Sequence, residues 1–442
     1  MHEKKRVGLA LSGGGYRAAA FHLGTLKKLH ELGILPQIDV LSTVSGGSIT
    51  GAYYCLNQND FATFEQDLKQ KLATKSVIRS VVFSWIFFRA LVYFFGGLIL
   101  TGYLLVAGWW LLATFIGFLW LFCLFRFQFS IFPVSRQIER AYDSFFYNKA
   151  TLSDLPDQPV LAIASTNLQT CRPFTFSKKK MEDSFYAYQQ FPIRFQHQAF
   201  PLARAVMASS CVPFAFSPVR IDREYFQKPE HFNQIRPYLV DGGIFDNQGI
   251  QKLSQPRSSY ECDMIITSDA GNKLPFEGTY TNTFALLLRT VNTFMTRIKN
   301  FQMAQHLFDA AKSHHKEIAY LSLGWDVEKC LSGFFDGLKA GRIPTRLIEA
   351  HQIPEEWLSD LDIHEEAVLE RLQASIGYSH IISEKVADQD KLVARSVSTN
   401  LTKLSTKQID CLMRHAANLT EIQVRLYCPS LIGNLTGISR QS

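Results

Sequence analysis

The chain lacks paired cysteines. Its eight (Cys55, Cys123, Cys171, Cys211, Cys262, Cys330, Cys411 and Cys428) are scattered with no CxxC among them, which excludes a zinc-ribbon or disulfide framework and points to a reducing compartment. It lacks a phosphate loop, since no Gly-Lys-[Ser/Thr] follows its one glycine-rich stretch. It lacks the repeated interleaving of arginine and aromatics that nucleic-acid binding calls for. The net charge of +7, from 46 Lys and Arg against 39 Asp and Glu, therefore suits a solvated surface or an anionic membrane, with no nucleic acid as partner. The basic start Met1 to Arg6 runs directly into a strand pattern, so no secretory leader is expected. No ligand set at metal spacing is evident, and neither metal nor cofactor is expected.

The longest absence is of charge. Leu91 to Phe125 holds 35 residues without one Asp, Glu, Lys or Arg, and is rich in Phe, Trp, Leu and Ile. About 20 helical residues cross a bilayer core, so this run is too long for one straight span and slightly short for two. Lys69, Lys71, Lys75, Arg79 and Arg89 precede it, and Arg126, Arg136 and Arg140 follow. Positive flanks on both sides place both ends on the cytoplasmic side. The expectation is a two-helix hairpin or re-entrant loop that breaks near Gly102 to Gly108. The alternative is a pair of core helices in a soluble domain.

Around the insert the pattern is that of a doubly wound sheet. Val7 to Leu11 reads as a buried strand, and apolar residues from Ala18 to Leu32 recur at helical spacing up to Gly33. Val40 to Val44 is a second strand and Gly46 to Leu56 a second helix. Further strands are expected at Pro159 to Ser165, Tyr238 to Val240, Met264 to Thr267 and Ile318 to Leu321. A long helix is expected from Asn282 to Asp309. Strand, helix, strand, helix in this order predicts an α/β fold with a mostly parallel central sheet flanked by helices. Four segments follow: residues 1–75, the apolar insert 76–140, residues 141–328, and a helical extension 329–442.

Three short motifs carry chemistry. Ser45 sits in Ser42-Thr43-Val44-Ser45-Gly46-Gly47-Ser48, where a strand turns into a helix. Such an elbow exposes a hydroxyl and aims a helix N-terminus at charge developing beside it. Thr43 stands where the first glycine of G-x-S-x-G is expected, so neighbouring chain must leave room for a β-branched side chain; Gly47 keeps the last position. Gly13-Gly14-Gly15 follows the first strand and opens a helix, presenting successive N–H groups to an anion. Arg17 could steady that loop or a lipid phosphate. The same string satisfies a dinucleotide fingerprint, but Asp39 precedes the second strand instead of ending it, which is wrong for a ribose contact. Asp241 follows a short apolar strand in Asp241-Gly242-Gly243, where two glycines let the backbone approach closely and a carboxylate can take a proton from the serine. Each motif alone is equally a turn. None of the twelve histidines lies in the late strand-end loop that a hydrolase triad uses.

Glycine loop, serine elbow and Asp-Gly-Gly, in that order, resemble the patatin-like phospholipase family. So does the run from Ala205 through Ala208, Ser209 and Pro213 to Phe216, similar to the family's A-x-x-A-S-x-x-x-P-x-x-F block. Ser12, Ala18 and Thr43 depart from the family pattern. The resemblance implies a Ca²⁺-independent lipid acyl hydrolase with Ser45 as nucleophile, Asp241 as base and the amides of Gly13, Gly14 and Gly15 as oxyanion hole. Arg17, Gly47, Gly242 and Gly243 would support the motif. The expected partners are a membrane lipid as substrate and the bilayer itself through residues 91–125, with the catalytic domain on the cytoplasmic side. A membrane-anchored esterase or acyltransferase on another ester, or a decayed scaffold, are the alternatives.

Overall fold

A computed structural model of the chain describes residues 5–272, 280–312 and 316–432; the last ten residues of the expected extension lie outside them. Among the described residues nine strands form one sheet: β1 (Val7–Leu11), β2 (Val40–Val44), β3 (Val160–Asn167), β4 (Arg172–Phe176), β5 (Met181–Asp183), β6 (Val219–Arg220), β7 (Tyr238–Asp241), β8 (Met264–Asp269) and β9 (Glu317–Ser322). The order across the sheet is β5-β4-β3-β2-β1-β8-β9. The five strands from β3 to β9 are parallel, and β4 and β5 extend the β3 edge antiparallel. This is the expected α/β architecture.

The alternation of side chains decides which face each residue covers. Leu9, Leu11, Leu41, Leu161, Ile163 and Ile266 point into a large core shared with the helices of one face. Their neighbours Ala10, Val40, Ala162 and Ile265 point into a smaller cluster with Ile250 and Leu253 on the other. The chain moves from β1 out to β2 and β3, then returns to the other side of β1 for β8 and β9. The glycine loop after β1 thus lies at the point where strand order reverses, where ligands of open α/β sheets bind.

The extension closes this core. Its Thr406–Tyr427 helix packs along the Gly15–Glu31 helix so tightly that a Cβ on Gly24 would lie 2.2 Å from the Met413 carbonyl oxygen. A strap before that helix crosses the glycine loop, where the Asn400 carbonyl accepts the Tyr16 N–H at 2.9 Å. The sequence shows these helices only in part, because Ala, His and Thr contact positions blur the apolar stripe.

The insert forms two helices, Trp85–Val106 and Trp110–Arg126, joined by a short turn in which Gly108 has φ 80°. The break falls at the end of the expected window. The Ser84 hydroxyl caps the first helix by accepting the Phe87 N–H at 3.1 Å, and Trp120 donates across the pair to the Tyr93 carbonyl at 3.3 Å. Arg89 donates to the Ile131 carbonyl at 3.2 Å, tying entry and exit together. The first helix, 22 residues, is long and apolar enough to cross a membrane, and none of its apolar window is buried. At 1.5 Å per residue it measures about 33 Å. The second has 17 residues and a 77° bend separates it from the chain that follows.

Candidate active site

β2 ends at Val44, opposite Ala164 of β3. β7 runs the other way along the same edge of β3 and ends at Asp241, opposite Ser165. The two strands therefore finish head to head on consecutive residues of β3, and the chain leaves one at Ser45 and the other at Gly242. A parallel and an antiparallel neighbour sharing one edge is what brings Ser45 and Asp241 together from positions far apart in sequence.

Ser45 has φ 49° and ψ −117°, a conformation that costs a non-glycine residue roughly 1–3 kcal/mol. The surroundings hold it there. Its N–H donates to Ser209 Oγ at 2.9 Å, and Ser209 Oγ donates to the Ala164 carbonyl at 2.6 Å. Ser48 Oγ lies 3.0 Å from Ser209 Oγ and donates to Thr43 Oγ1 at 3.0 Å. The room that Thr43 needs comes from Gly51, where a Cβ would stand 2.6 Å from the Thr43 methyl. The Gly47 N–H donates to the Ser12 carbonyl at 3.0 Å and locks the elbow to the glycine loop.

Asp241 is buried. Its N–H donates to the Cys211 carbonyl at 2.8 Å, its carbonyl accepts from Thr166 Oγ1 at 2.9 Å, and the Gly242 N–H donates to the Ser209 carbonyl at 3.2 Å. The Gly243 N–H donates to its carboxylate Oδ1 at 2.7 Å. Burial pushes the carboxyl up to about 6, against the lowering pull of the Gly243 amide and the Ser45 hydroxyl. A carboxylate in that range is ionised at neutral pH yet basic enough to share a proton.

The glycine loop needs one correction. Gly14 and Gly15 take φ 141° and 59°, values that suit glycine. The Gly13 N–H, however, donates to the Asn247 carbonyl at 2.9 Å and so is not available to an oxyanion. Among the described residues the N–H groups of Gly14, Gly15 and Gly46 have no protein acceptor. Gly46, first residue of the helix after Ser45, offers an N–H that the sequence reading did not single out. The Arg17 guanidinium is largely turned into the protein and donates to the Val397 carbonyl at 3.2 Å, so it steadies the loop through the strap of the extension.

Behind the loop lies a polar layer with no sequence signature. Ser12 Oγ accepts the Ala270 N–H at 2.8 Å. His22 is fully buried between Ser268 Oγ and the Ser12 carbonyl, both at 2.9 Å, and burial drops its pKa to about 4. It is neutral there and props the loop. Burial alone would raise Asp269, but Lys299 at 2.5 Å, with the Tyr320 hydroxyl and the Gly271 amide, holds it below its ordinary value. Among the described residues no group of three or more His, Cys, Asp or Glu could hold a metal ion.

A hydroxyl on a strained elbow, a buried carboxylate beside it and unpaired amides at a helix N-terminus can together perform acyl transfer to a serine. The patatin-like phospholipase family model matches residues 9–253, more than half of the chain. The chain belongs to the patatin-like phospholipase family, whose activity is lipid acyl hydrolysis. Similar solved structures include human GIVD cytosolic phospholipase A2, 14% identical over 98% of this chain and 62% of that one, with a TM-score of 0.48. VipD from Legionella pneumophila is 13% identical over 97% of this chain and 92% of that one, with a TM-score of 0.34. The chain thus spans less than two thirds of the human enzyme. No curated protein matches it.

Proposed function

We propose that the protein is a membrane-anchored phospholipase A or lysophospholipase that cleaves carboxylic esters of glycerolipids with a Ser45–Asp241 dyad. The observation that carries the reading is the meeting of β2 and β7 on β3, which sets the elbow serine against a buried, amide-oriented carboxylate. Asp241 accepts the proton of Ser45 as the hydroxyl oxygen attacks the ester carbonyl carbon. The amides of Gly14, Gly15 and Gly46 receive the negative oxygen of the tetrahedral intermediate, and the proton then passes to the departing lysolipid alkoxide. Water, deprotonated by Asp241, attacks the acyl-serine, and the fatty acid leaves as Ser45 is reprotonated. No metal or cofactor takes part.

The helix pair 85–126 enters the bilayer as a hairpin and holds the site at the lipid surface. Exposed apolar helices are costly in water, and six basic residues against Glu139 alone between Lys75 and Arg140 suit anionic headgroups on the cytoplasmic side. In this reading residues 1–75 and 141–328 are one catalytic unit interrupted by 76–140, and the extension 329–442 backs its glycine loop. The test is hydrolysis of phosphatidylcholine and lysophosphatidylcholine in liposomes by the wild type and by Ser45→Ala. Release of fatty acid by the first and not the second is the expected result; equal release by both overturns the dyad.

A further inference from the structure

The strap between the helices Asp388–Ser396 and Thr406–Tyr427 lies outside the stretch that the family model matches. Its backbone nevertheless touches the glycine loop at a residue that offers an oxyanion donor. A Cβ on Gly15 would stand 2.3 Å from the Asn400 carbonyl oxygen, so only glycine fits under the strap. That oxygen accepts the N–H of Tyr16, second residue of the helix that Gly15 opens. Glycines are the freest residues of any backbone. Holding the Tyr16 amide restrains the turn at Gly15, and so aims the N–H groups of Gly14 and Gly15.

Asn400 is itself held in one conformation. Its Oδ1 accepts the Thr402 N–H at 3.0 Å and the Thr402 hydroxyl at 2.6 Å, closing an Asx turn, and its Nδ2 donates to Ser398 Oγ at 2.7 Å. Val397, Leu401 and Leu404 are buried, so the strap is packed into the core. The next carbonyl, that of Leu401, accepts the Val77 N–H at 3.0 Å. Val77 opens the short helix Val77–Val82, which Ser76 caps and which leads into the apolar helix Trp85–Val106. The Leu404 N–H donates to the Leu72 carbonyl at 3.0 Å and anchors the strap a second time ahead of the insert. Two successive carbonyls thus hold the oxyanion loop and the root of the insert. We propose that Asn400 is a positioning residue for the oxyanion amides, and that the strap sets them from the root of the apolar insert. The inference rests on the Ser45–Asp241 reading. An oxyanion donor acts only at about 2.7–3.1 Å from the developing charge, and losing one costs about 10²–10³ in kcat. Asn400 touches no substrate; it keeps the donors at that distance.

The test measures kcat and KM of the full chain on p-nitrophenyl butyrate, and its inhibition by a trifluoromethyl ketone and by the matching methyl ketone. Only the first ketone forms a tetrahedral oxyanion on a serine. Asn400→Ala should lower kcat about ten- to a hundredfold with KM within about twofold. It should weaken trifluoromethyl ketone inhibition by the same factor as kcat/KM and leave the methyl ketone unaffected. Thr402→Val, which keeps the shape and removes the hydroxyl, should show the same pattern at about threefold or more, and Thr402→Ser should restore wild-type values. Val77→Pro removes the N–H given to Leu401 and keeps the helix start, because proline suits the first helical position and Ser76 is already extended. It should copy the Asn400→Ala pattern. A kcat within about twofold of wild type in Asn400→Ala overturns the proposal. So does a lowered kcat with undiminished trifluoromethyl ketone inhibition, the mark of a partly unfolded enzyme. If Asn400→Ala does not fold, the Thr402 pair decides on the same readings. Wild-type behaviour of Val77→Pro overturns the link to the insert. Full turnover by Ser45→Ala would instead defeat the dyad on which the proposal stands.

Discussion

The backbone N–H of Ser45 is held by the hydroxyl of Ser209, 164 positions further along the chain, at 2.9 Å. Ser209 is therefore a positioning residue for the elbow. Ser209→Ala leaves a buried N–H and the Ala164 carbonyl without this partner, and an orphaned buried group costs about 1–3 kcal/mol. We expect kcat to fall roughly ten- to a hundredfold, with KM within about twofold and the acid limb of the pH profile in place. Steady-state kinetics check this; a raised KM at unchanged kcat contradicts it.

The pH dependence follows from Asp241. A base must be ionised, and burial places this carboxyl at about 6. Activity should rise about tenfold per pH unit below that value and level off above it. A rate–pH profile on a soluble ester, in which the lipid surface does not titrate, reads this directly. A limb near 4 would mean a solvated carboxylate.

The same burial makes Asp241 a cost to folding. Its carboxyl titrates near 3.8 when unfolded and near 6 in the fold, so the stability lost to it appears as pH rises through that interval and is full above it. The loss amounts to about 2–3 kcal/mol. Asp241→Asn should be inactive yet melt higher than wild type at pH 7, with the advantage vanishing near pH 4. Thermal denaturation at the two pH values decides; an equal difference at both would rule out the ionisation argument.

Why some of this was legible in the sequence is a matter of range. Val7 to Leu11 and Val40 to Val44 match their strands to the residue, because a strand buried on both faces reads as an apolar run. Ser45 and Asp241 stood out because glycines mark sharp turns. The short strands β4 to β6 carry no such run; Arg172–Phe176 contains a proline and Met181–Asp183 two acids. The commitment of Gly13 to Asn247, the room made by Gly51 and the buried Asp269–Lys299 pair are contacts between distant segments. No local spacing encodes them. Ser209 was visible as part of a motif, but its bond to Ser45 needs the fold.

The hairpin predicts its own fractionation. Insertion rests on apolar burial, so the protein should stay with membranes through carbonate and high-salt washes. Cysteines placed at Gln70 and Gln137 should react from one face of sealed vesicles. Labelling from opposite faces contradicts the hairpin, and complete release by salt contradicts insertion.

The central claim is that Ser45 is the atom source of the nucleophile. The direct measurement is mass spectrometry of the protein after reaction with a fluorophosphonate. The account predicts one adduct, on the peptide carrying Ser45, absent from Ser45→Ala and slowed by Asp241→Asn. An adduct on another serine, or undiminished labelling of Ser45→Ala, would contradict it.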